Sequence, residues 1–274
     1  MNILLILLAL LAAALLIALF LIMPRMFARP DCSSLMGRYY AHRGLHDAKA
    51  GIPENSMAAI RRAVDAGYGI EFDVQLSKDR VPVVFHDETL NRVCGVEGNV
   101  RDYTFEELQE FRLLGTQERI PRFADVLDAV GGRVPLIIEI KIHEKADEVC
   151  SSADAILKLY NGPYCMESFL PFAVRWYKKN RPEVIRGQLS GNLSENGKKE
   201  PLDRWLVHHL LTNVLTRPDF IAYCHIDKSN LSRRLCRSLF RLLSVAWTIR
   251  SQEQLDASKG DFDLFIFEGF IPKA

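Results

Sequence analysis

The stretch IEFDVQLSKDRVPVVFH, residues 70–86, holds two short apolar segments separated by only a few polar residues. Neighbouring parallel strands need a crossover connection of a dozen or more residues, so a link this short excludes a parallel pair. We therefore predict an antiparallel hairpin that turns at residues 78–79. In that pairing Glu71 faces His86, and a slip of one residue in the register remains open.

Around the hairpin, apolar runs alternate with helical patterns, an order typical of a parallel sheet wrapped by helices. Nine runs are one more than a closed eight-stranded barrel needs, and the return limb of the hairpin accounts for the excess. We predict an α/β fold, a TIM-type (β/α)8 barrel with a β-hairpin extension after strand 2. The runs are residues 39–42, 70–74, 81–86, 136–141, 164–169, 184–189, 220–225, 244–249 and 264–268.

The N-terminus carries an unbroken apolar run over residues 3–23, with no charge and no helix breaker. Its length suffices to cross a hydrocarbon core of about 30 Å. A cleaved signal peptide has a basic start and a shorter apolar core, so we favour an uncleaved anchor. Because Arg25 and Arg29 follow the run, the positive-inside rule predicts a single-pass membrane protein with its folded domain in the cytoplasm.

These patterns divide the chain into a transmembrane anchor over residues 1–24, a linker over 25–37 and the barrel domain over 38–274. The formal net charge of +1 gives no field that would attract nucleic acid. The six cysteines form no C-x-x-C pair, which indicates free thiols rather than a zinc or disulfide framework. Any chemistry on an anion must therefore come from a local site.

Acidic and basic side chains stand at the ends of the predicted strands. Glu71 and Asp73 are two residues apart and share one strand face, and Glu139 and Lys141 repeat this spacing in PLIIEIK. A buried salt-bridge cluster is the less favoured alternative, because buried charges without function are costly. Three carboxylates on neighbouring strands supply the oxygen ligands that Mg²⁺ or Ca²⁺ prefers.

The sequence contains a series of short motifs, which in chain order are AHRG, PENS, EFDV, VPVVFHDETLNR, IPRFADVL, IEIK, ESF and WTI. Together these motifs resemble the glycerophosphodiester phosphodiesterases of the phospholipase-C-like phosphodiesterase superfamily. The resemblance implies a TIM-type barrel that uses a divalent metal to hydrolyse glycerophosphodiesters to glycerol 3-phosphate and an alcohol. The C-terminal FIFEGF departs from the Thr-Asp-Arg-Pro type ending of many members.

The resemblance also implies roles for individual residues. It implies that His42 and His86 act as acid and base. It further implies that one divalent cation, Mg²⁺ or Ca²⁺, is held by Glu71, Asp73 and Glu139. Two imidazoles with reference pKa values near 6.5 can exchange these roles at neutral pH.

Phosphate and glycerol contacts are implied for Arg43 and Lys141, while Trp247 either stacks on substrate or packs in the core. Two other functions remain open: a lysophospholipase D-type enzyme acting on lysolipids, and a catalytically silent, membrane-tethered binding module. The intact catalytic and metal positions argue against the silent module.

A basic amphipathic pattern, LSRRLCRSLFRLL, occupies residues 231–243. It predicts an outer helix of the barrel whose arginines are either solvated or rest on anionic headgroups. Asn55 and Ser56 precede another helical pattern and are predicted as a helix cap first and a site second.

Overall fold

The computed structural model describes residues 3–143, 145–192 and 201–273. Within them one sheet of nine strands closes into a barrel, because β1 pairs in parallel with both β2 and β9. The predicted TIM-type (β/α)8 barrel is confirmed. The strands are β1 Tyr39–His42, β2 Gly69–Leu76, β3 Pro82–Val84, β4 Leu136–Ile140, β5 Tyr164–Ser168, β6 Arg186–Ser190, β7 Phe220–Cys224, β8 Leu243–Ile249 and β9 Leu264–Phe267.

Helices of one to three turns connect the strands, and a longer helix precedes the barrel. They are α1 Ile3–Ile22, α2 Met57–Asp65, α3 Asn91–Cys94, α4 Phe105–Leu108, α5 Phe123–Val130, α6 Ala146–Leu157, α7 Pro171–Asn180, α8 Leu202–His208, α9 Asn213–Thr216, α10 Leu231–Ser238 and α11 Gln252–Ser258. Ser56 caps α2 by accepting the Ala59 N–H at 3.1 Å, as its position in the sequence predicts.

The hairpin is antiparallel, as predicted, but its register is not the predicted one. Val74 lies opposite Val84, so each residue of β2 faces one position further along β3 than predicted. The prediction that Glu71 faces His86 is therefore wrong. The antiparallel limb still leaves eight parallel strands for the barrel.

The shift arises in the turn. The Ser77 N–H donates to the Val81 carbonyl at 3.1 Å, so three residues form the loop instead of the two predicted. The third of them, Arg80, has a φ of +64°, the left-handed conformation typical of three-residue hairpin loops. The sequence has no glycine here, so nothing in it signals this turn.

The barrel interior changes from apolar to charged along its axis. Tyr40 is fully buried, and a Cβ added at Gly69 would lie 2.6 Å from its ring, so the ring fills the space beside that glycine. On several strands, the residue two positions further along the same interior face is polar or charged and lies at the C-terminal end. Examples of such pairs are Tyr40 and His42 on β1, Ile137 and Glu139 on β4, and Cys165 and Glu167 on β5.

Helix α1 leaves the barrel with Ile22 as its single buried residue. Among the described helices it alone is long and apolar enough to cross a membrane, with a mean hydropathy of 3.3. By length and composition such an N-terminal helix fits either an anchor or a signal sequence.

The segment after α1 folds back onto the N-terminal end of the barrel. The Arg25 N–H donates to the Pro218 carbonyl at 3.1 Å. Further along, Leu35 is 1% exposed and its carbonyl accepts the Tyr40 hydroxyl at 2.6 Å. The predicted linker therefore packs on the barrel, while the boundaries at residues 24 and 37 stay predictions.

Candidate active site

The C-terminal ends of the barrel strands surround a cavity of about 150 Å³. Active sites of this fold lie at that end, since the loops after the strands converge there. All predicted site residues except Asp73 line the cavity, namely His42, Arg43, Glu71, His86, Glu139, Lys141 and Trp247. Asp73 lies just beneath it, with Oδ1 3.2 Å from the Lys141 ammonium.

Three carboxylates from two adjacent strands form a buried cluster. One oxygen each from Glu71, Asp73 and Glu139 lies within 4.8 Å of the others. Parallel pairing sets this arrangement, since Asp73 on β2 is directly opposite Glu139 on β4. The Lys141 ammonium reaches the cluster from above, 2.8 Å from Glu139 Oε1.

The cluster has opposing effects on the pKa values of its members. Burial, together with the charges of Asp73 and Glu139, raises the pKa of Glu71 well above its ordinary value. Burial would also raise the pKa of Asp73, but the positive charges around it, that of Lys141 foremost, hold it below its usual range. Burial would lower the pKa of Lys141, yet the two adjacent carboxylates raise it. The site therefore buries acidic and basic side chains beside one another.

A fourth buried acid, Glu167, leaves this region with more acids than bases. Its Oε2 atom is buried without a hydrogen-bond partner, and burial raises the pKa of its carboxyl well above the ordinary value. The buried acids are Glu71, Asp73, Glu139 and Glu167, and the bases in contact with them are Arg43 and Lys141. When all are ionised, the excess of about two negative charges and the oxygen donor set fit one divalent cation.

Arg43 and Asn55, at the base of the site, have strained backbone conformations. Their φ angles of +54° and +55° lie in the left-handed region, which costs a non-glycine residue on the order of 1 kcal/mol or more. The Asn55 N–H donates to the Arg43 carbonyl at 2.9 Å, and its side-chain amide donates to Asp73 Oδ2 at 2.9 Å. Asn55 thus orients an acid of the cluster, and Ser56 alone caps α2.

The first histidine of the site is held by a residue from the far end of the chain. His42 Nδ1 makes a short hydrogen bond to Glu268 Oε2, just beyond β9. Glu268 Oε1 in turn accepts from Arg250 Nε at 2.6 Å. We call His42, Glu268 and Arg250 the His42 trio. Burial lowers the pKa of His42, and the Glu268 carboxylate opposes this shift.

The second histidine is held in the same way by its sequence neighbours. His86 Nδ1 lies 2.6 Å from Asp87 Oδ1, and Asp87 Oδ2 accepts from Arg92 Nε at 2.6 Å. We call His86, Asp87 and Arg92 the His86 trio. Arg92 also donates to both oxygens of Glu54, at 2.7 and 2.8 Å. Glu54 accepts from Arg43 Nη1 at 2.6 Å, so this trio is connected to the arginine at the mouth.

Trp247 forms one wall of the cavity. Its indole N–H donates to the Ser190 carbonyl at 3.2 Å, and its ring meets Phe169 edge-on at 5.5 Å between centroids. The ring is thereby fixed and half-buried, with part of its surface open to the cavity. The position suits both a packing role and a contact with substrate.

Several residues of this site were not predicted from the sequence. Glu167 could have been found, because ESF places an acid at a strand end as IEIK does. Asp87 and Arg92 lie inside the quoted motif VPVVFHDETLNR, but no pattern indicates that they bond to each other. Glu268 also ends a predicted strand, but its contact with His42 depends on closure of the barrel.

Comparisons with known proteins identify the family to which this chain is similar. Residues 42–163 match the Glycerophosphoryl diester phosphodiesterase family. The chain is 34% identical over 204 residues to a glycerophosphodiester phosphodiesterase of Caldanaerobacter subterraneus, which covers 67% of this chain and 79% of that protein.

Solved structures of similar fold include enzymes of the same family. A glycerophosphodiester phosphodiesterase from Thermotoga maritima has a TM-score of 0.62 and 26% identity, covering 84% of this chain and 94% of its own. The fold is shared by an Oleispira antarctica phosphodiesterase in complex with the product sn-glycerol-3-phosphate, with a TM-score of 0.68, 23% identity and coverages of 85% and 94%.

The barrel, its acidic mouth and these relatives together define a phosphoric diester hydrolase. Since the match to the Caldanaerobacter enzyme extends over most of that protein, the chain belongs to the glycerophosphodiester phosphodiesterase family.

Proposed function

We propose that this enzyme hydrolyses glycerophosphodiesters to glycerol 3-phosphate and an alcohol, with the help of one divalent cation. The observation that carries the proposal is the buried cluster of three carboxylates beside two histidines at the barrel mouth. The proposal is also supported by the Oleispira phosphodiesterase, which was solved with sn-glycerol-3-phosphate as its product.

Glu71, Asp73 and Glu139 would hold the cation, either Mg²⁺ or Ca²⁺, through carboxylate oxygens. A cation bound there would polarise the phosphoryl group and make a nearby hydroxyl more acidic. Arg43 would grip two phosphate oxygens with its planar guanidinium, and Lys141 would add a point charge. The Trp247 ring would lie against the glycerol side of the substrate.

The two histidines would move the protons. Because Nδ1 of each ring faces a carboxylate, Nδ1 carries the proton and Nε2 is left to exchange one with substrate. One imidazole takes a proton from the glycerol hydroxyl next to the ester, whose oxygen then attacks phosphorus. The other protonates the departing alcohol oxygen, which leaves a cyclic phosphate. With the roles reversed, water opens the ring and yields glycerol 3-phosphate.

A lysolipid substrate is the second candidate, and one feature of the mouth favours it. A groove of about 800 Å³ beyond β4 and β5 contains Leu170, Phe172 and Trp176. Leu170 and Phe172 are 40% and 63% exposed, so an acyl chain would find apolar contacts there. The same chemistry would then act as a lysophospholipase D.

We further propose that α1 is an uncleaved membrane anchor and that the barrel faces the cytoplasm. Support comes from its apolar length, from Arg25 and Arg29 directly after it, and from the burial of Ile22 in the apolar layer between strands and helices. Protease treatment of intact cells tests this: a barrel digested from outside, or a mature chain that begins after Met23, contradicts it.

The activity is tested on the full chain in neutral detergent micelles. Phosphorus NMR follows glycerophosphocholine, glycerophosphoethanolamine and lysophosphatidylcholine with and without added Mg²⁺ or Ca²⁺. We expect glycerol 3-phosphate from the first two and loss of turnover after exhaustive chelation. Phosphocholine as the product, or full turnover without a divalent ion, would refute the proposal.

A further inference from the structure

A second charged cavity, of about 580 Å³, lies at the opposite end of the barrel. It is formed where α10 ends and β8 and β9 begin, on the side away from the active site. Its charged lining consists of Arg233, Arg234, Arg237, Arg241, Asp261 and Asp263. The proposed catalytic machinery uses none of these residues.

The arginines of this cavity are not all neutralised. Asp263 Oδ1 pairs with Arg237 at 3.2 Å. Asp261 lies 3.0 Å from Lys228 and 3.6 Å from Arg233, so each aspartate already has a basic partner.

Two further arginines carry the surplus positive charge. Arg234 and Arg241 are exposed, and within the described part of the chain neither side chain forms an ion pair. This leaves a positive, partly enclosed site suited to a phosphate group.

The cavity lies next to the point where α1 leaves the barrel. The Arg29 guanidinium donates to the carbonyls of Phe240 and Arg241, at 3.0 and 3.3 Å. The last turn of α1 is fixed to the same end, because Asn213 Nδ2 donates to the Ile22 carbonyl at 2.9 Å. A bilayer crossed by α1 would therefore begin beside the arginines.

Exposed apolar side chains occur on this same end. Phe27 is 87% exposed and Met26 41%, both between α1 and Arg29. Leu239, at the end of α10, is 55% exposed. Apolar side chains next to arginines are typical of surfaces that lie in the interface of an anionic bilayer.

We propose that this cavity binds the headgroup phosphate of an anionic phospholipid in the bilayer that α1 crosses. The proposal rests on the membrane anchor proposed above but not on the phosphodiesterase chemistry. Arg234 and Arg241 contact the phosphate, while Phe27 and Leu239 enter the region beneath the headgroups.

Native mass spectrometry of the full chain, released from neutral detergent micelles, tests this with phosphatidylglycerol and phosphatidylcholine as probes. We expect phosphatidylglycerol to be retained at about tenfold lower concentration than phosphatidylcholine. The double variant Arg234→Gln/Arg241→Gln should remove most of this preference, because each arginine near an anionic headgroup adds a fewfold in affinity. The control Lys49→Gln/Arg61→Gln removes the same charge from exposed positions elsewhere and should keep the preference.

Equal retention of both lipids, or an unchanged preference in the double variant, would overturn the proposal. So would full competition by inorganic phosphate at the concentrations at which phosphatidylglycerol binds, since the cavity would then be a site for soluble anions. Hydrolysis of glycerophosphocholine by the double variant should equal that of the wild type. A chain that retains phosphatidylglycerol but hydrolyses no diester would refute the proposed function and leave this inference standing.

Discussion

The two histidines at the mouth are held by the same chemistry but by different parts of the chain. In each trio an imidazole Nδ1 faces a carboxylate, and that carboxylate accepts from an arginine Nε at 2.6 Å. The His86 trio comes from one short segment after β3, which includes the start of α3. The His42 trio joins β1 to residues that follow β8 and β9, so it exists only when the barrel is closed.

The trios also differ in how firmly the arginine is fixed. Arg92 binds two carboxylates, and its partner Glu54 is shared with Arg43. The Arg250 side chain is 61% exposed and its only ion pair among the described residues is with Glu268. The His86 trio is thus tied to the proposed phosphate site, whereas the His42 trio ends in solvent. Similar local geometry need not imply similar sensitivity to mutation.

Loss of the carboxylate cluster that both trios face should have the largest effect. We expect Glu71→Ala, Asp73→Ala or Glu139→Ala to abolish turnover of glycerophosphocholine, because the proposed cation would lose a ligand. Isothermal titration of Mg²⁺ or Ca²⁺ should show weakened binding in the same variants. A variant that keeps its fold by circular dichroism and also keeps full turnover would contradict the ligand assignment.

Removal of either imidazole should cause the second largest loss of turnover. His42→Ala and His86→Ala should each lower kcat by about 10² or more, since each ring transfers a proton in both steps. Steady-state assays measure this, and thermal unfolding checks that the fold is kept. Near-wild-type turnover in either variant would mean that the two trios do not share the acid and base roles.

Substitution of the two carboxylates that bind the histidines should have smaller effects on kcat. Glu268→Gln and Asp87→Asn keep the size of the side chain but remove the charge that orients the imidazole, and a loss of about 10- to 100-fold in kcat is expected. KM should change little if the carboxylate acts only through the histidine. A change confined to KM would instead indicate direct contact with substrate.

Glu54, which binds Arg92 of the His86 trio, should make the free energy of unfolding depend on pH under acid conditions. Burial would raise the pKa of this carboxyl, but Arg92 and Arg43 lower it to about 2. Because its pKa is lower in the folded state, the ionised Glu54 carboxylate stabilises the fold. This contribution is complete above about pH 4.5 and is lost as the pH falls towards 2. Glu54→Gln should therefore flatten the pH dependence of the free energy of unfolding in that window. An unchanged slope in urea titrations would argue against this network.

The smallest effect is expected at the exposed end of the His42 trio. Arg250→Ala should lower kcat by no more than about fivefold, because exposed ion pairs contribute about 1 kcal/mol or less. Arg92→Ala, the matched change in the other trio, should cost more, since it releases two partly buried carboxylates, those of Asp87 and Glu54. Equal losses would mean that the two arginines are held equally firmly.

The sequence predicts the barrel well because its strands repeat one pattern. Several apolar runs carry charged residues at or near their C-terminal ends, and parallel pairing then brings such residues together, as it does for Asp73 and Glu139. The length of the hairpin link correctly excluded a parallel pair. The predicted register was wrong because the side chains do not indicate a three-residue loop with Arg80 in the left-handed region.

The parts that the sequence could not predict depend on contacts between distant residues. His42 and Glu268 are 226 positions apart and meet only through the pairing of β1 with β9. The joint between α1 and the barrel is similar, since Asn213 reaches Ile22 across 191 positions. Neither contact follows from periodicity, spacing or composition.

That joint determines how far the active site can travel. About fifteen extended residues after α1 would have allowed an excursion of up to ~50 Å, but the segment is folded against the barrel and leaves almost no slack. The mouth lies at the other end of the strands, roughly 17 Å away before the loops are counted. A lysolipid embedded in the bilayer would have to withdraw its acyl chain, at about 0.8 kcal/mol per CH₂, before its phosphate reached His42. An enzyme anchored in this way would process molecules that have already dissolved, and its reaction rate would follow their aqueous concentration rather than their density in the membrane.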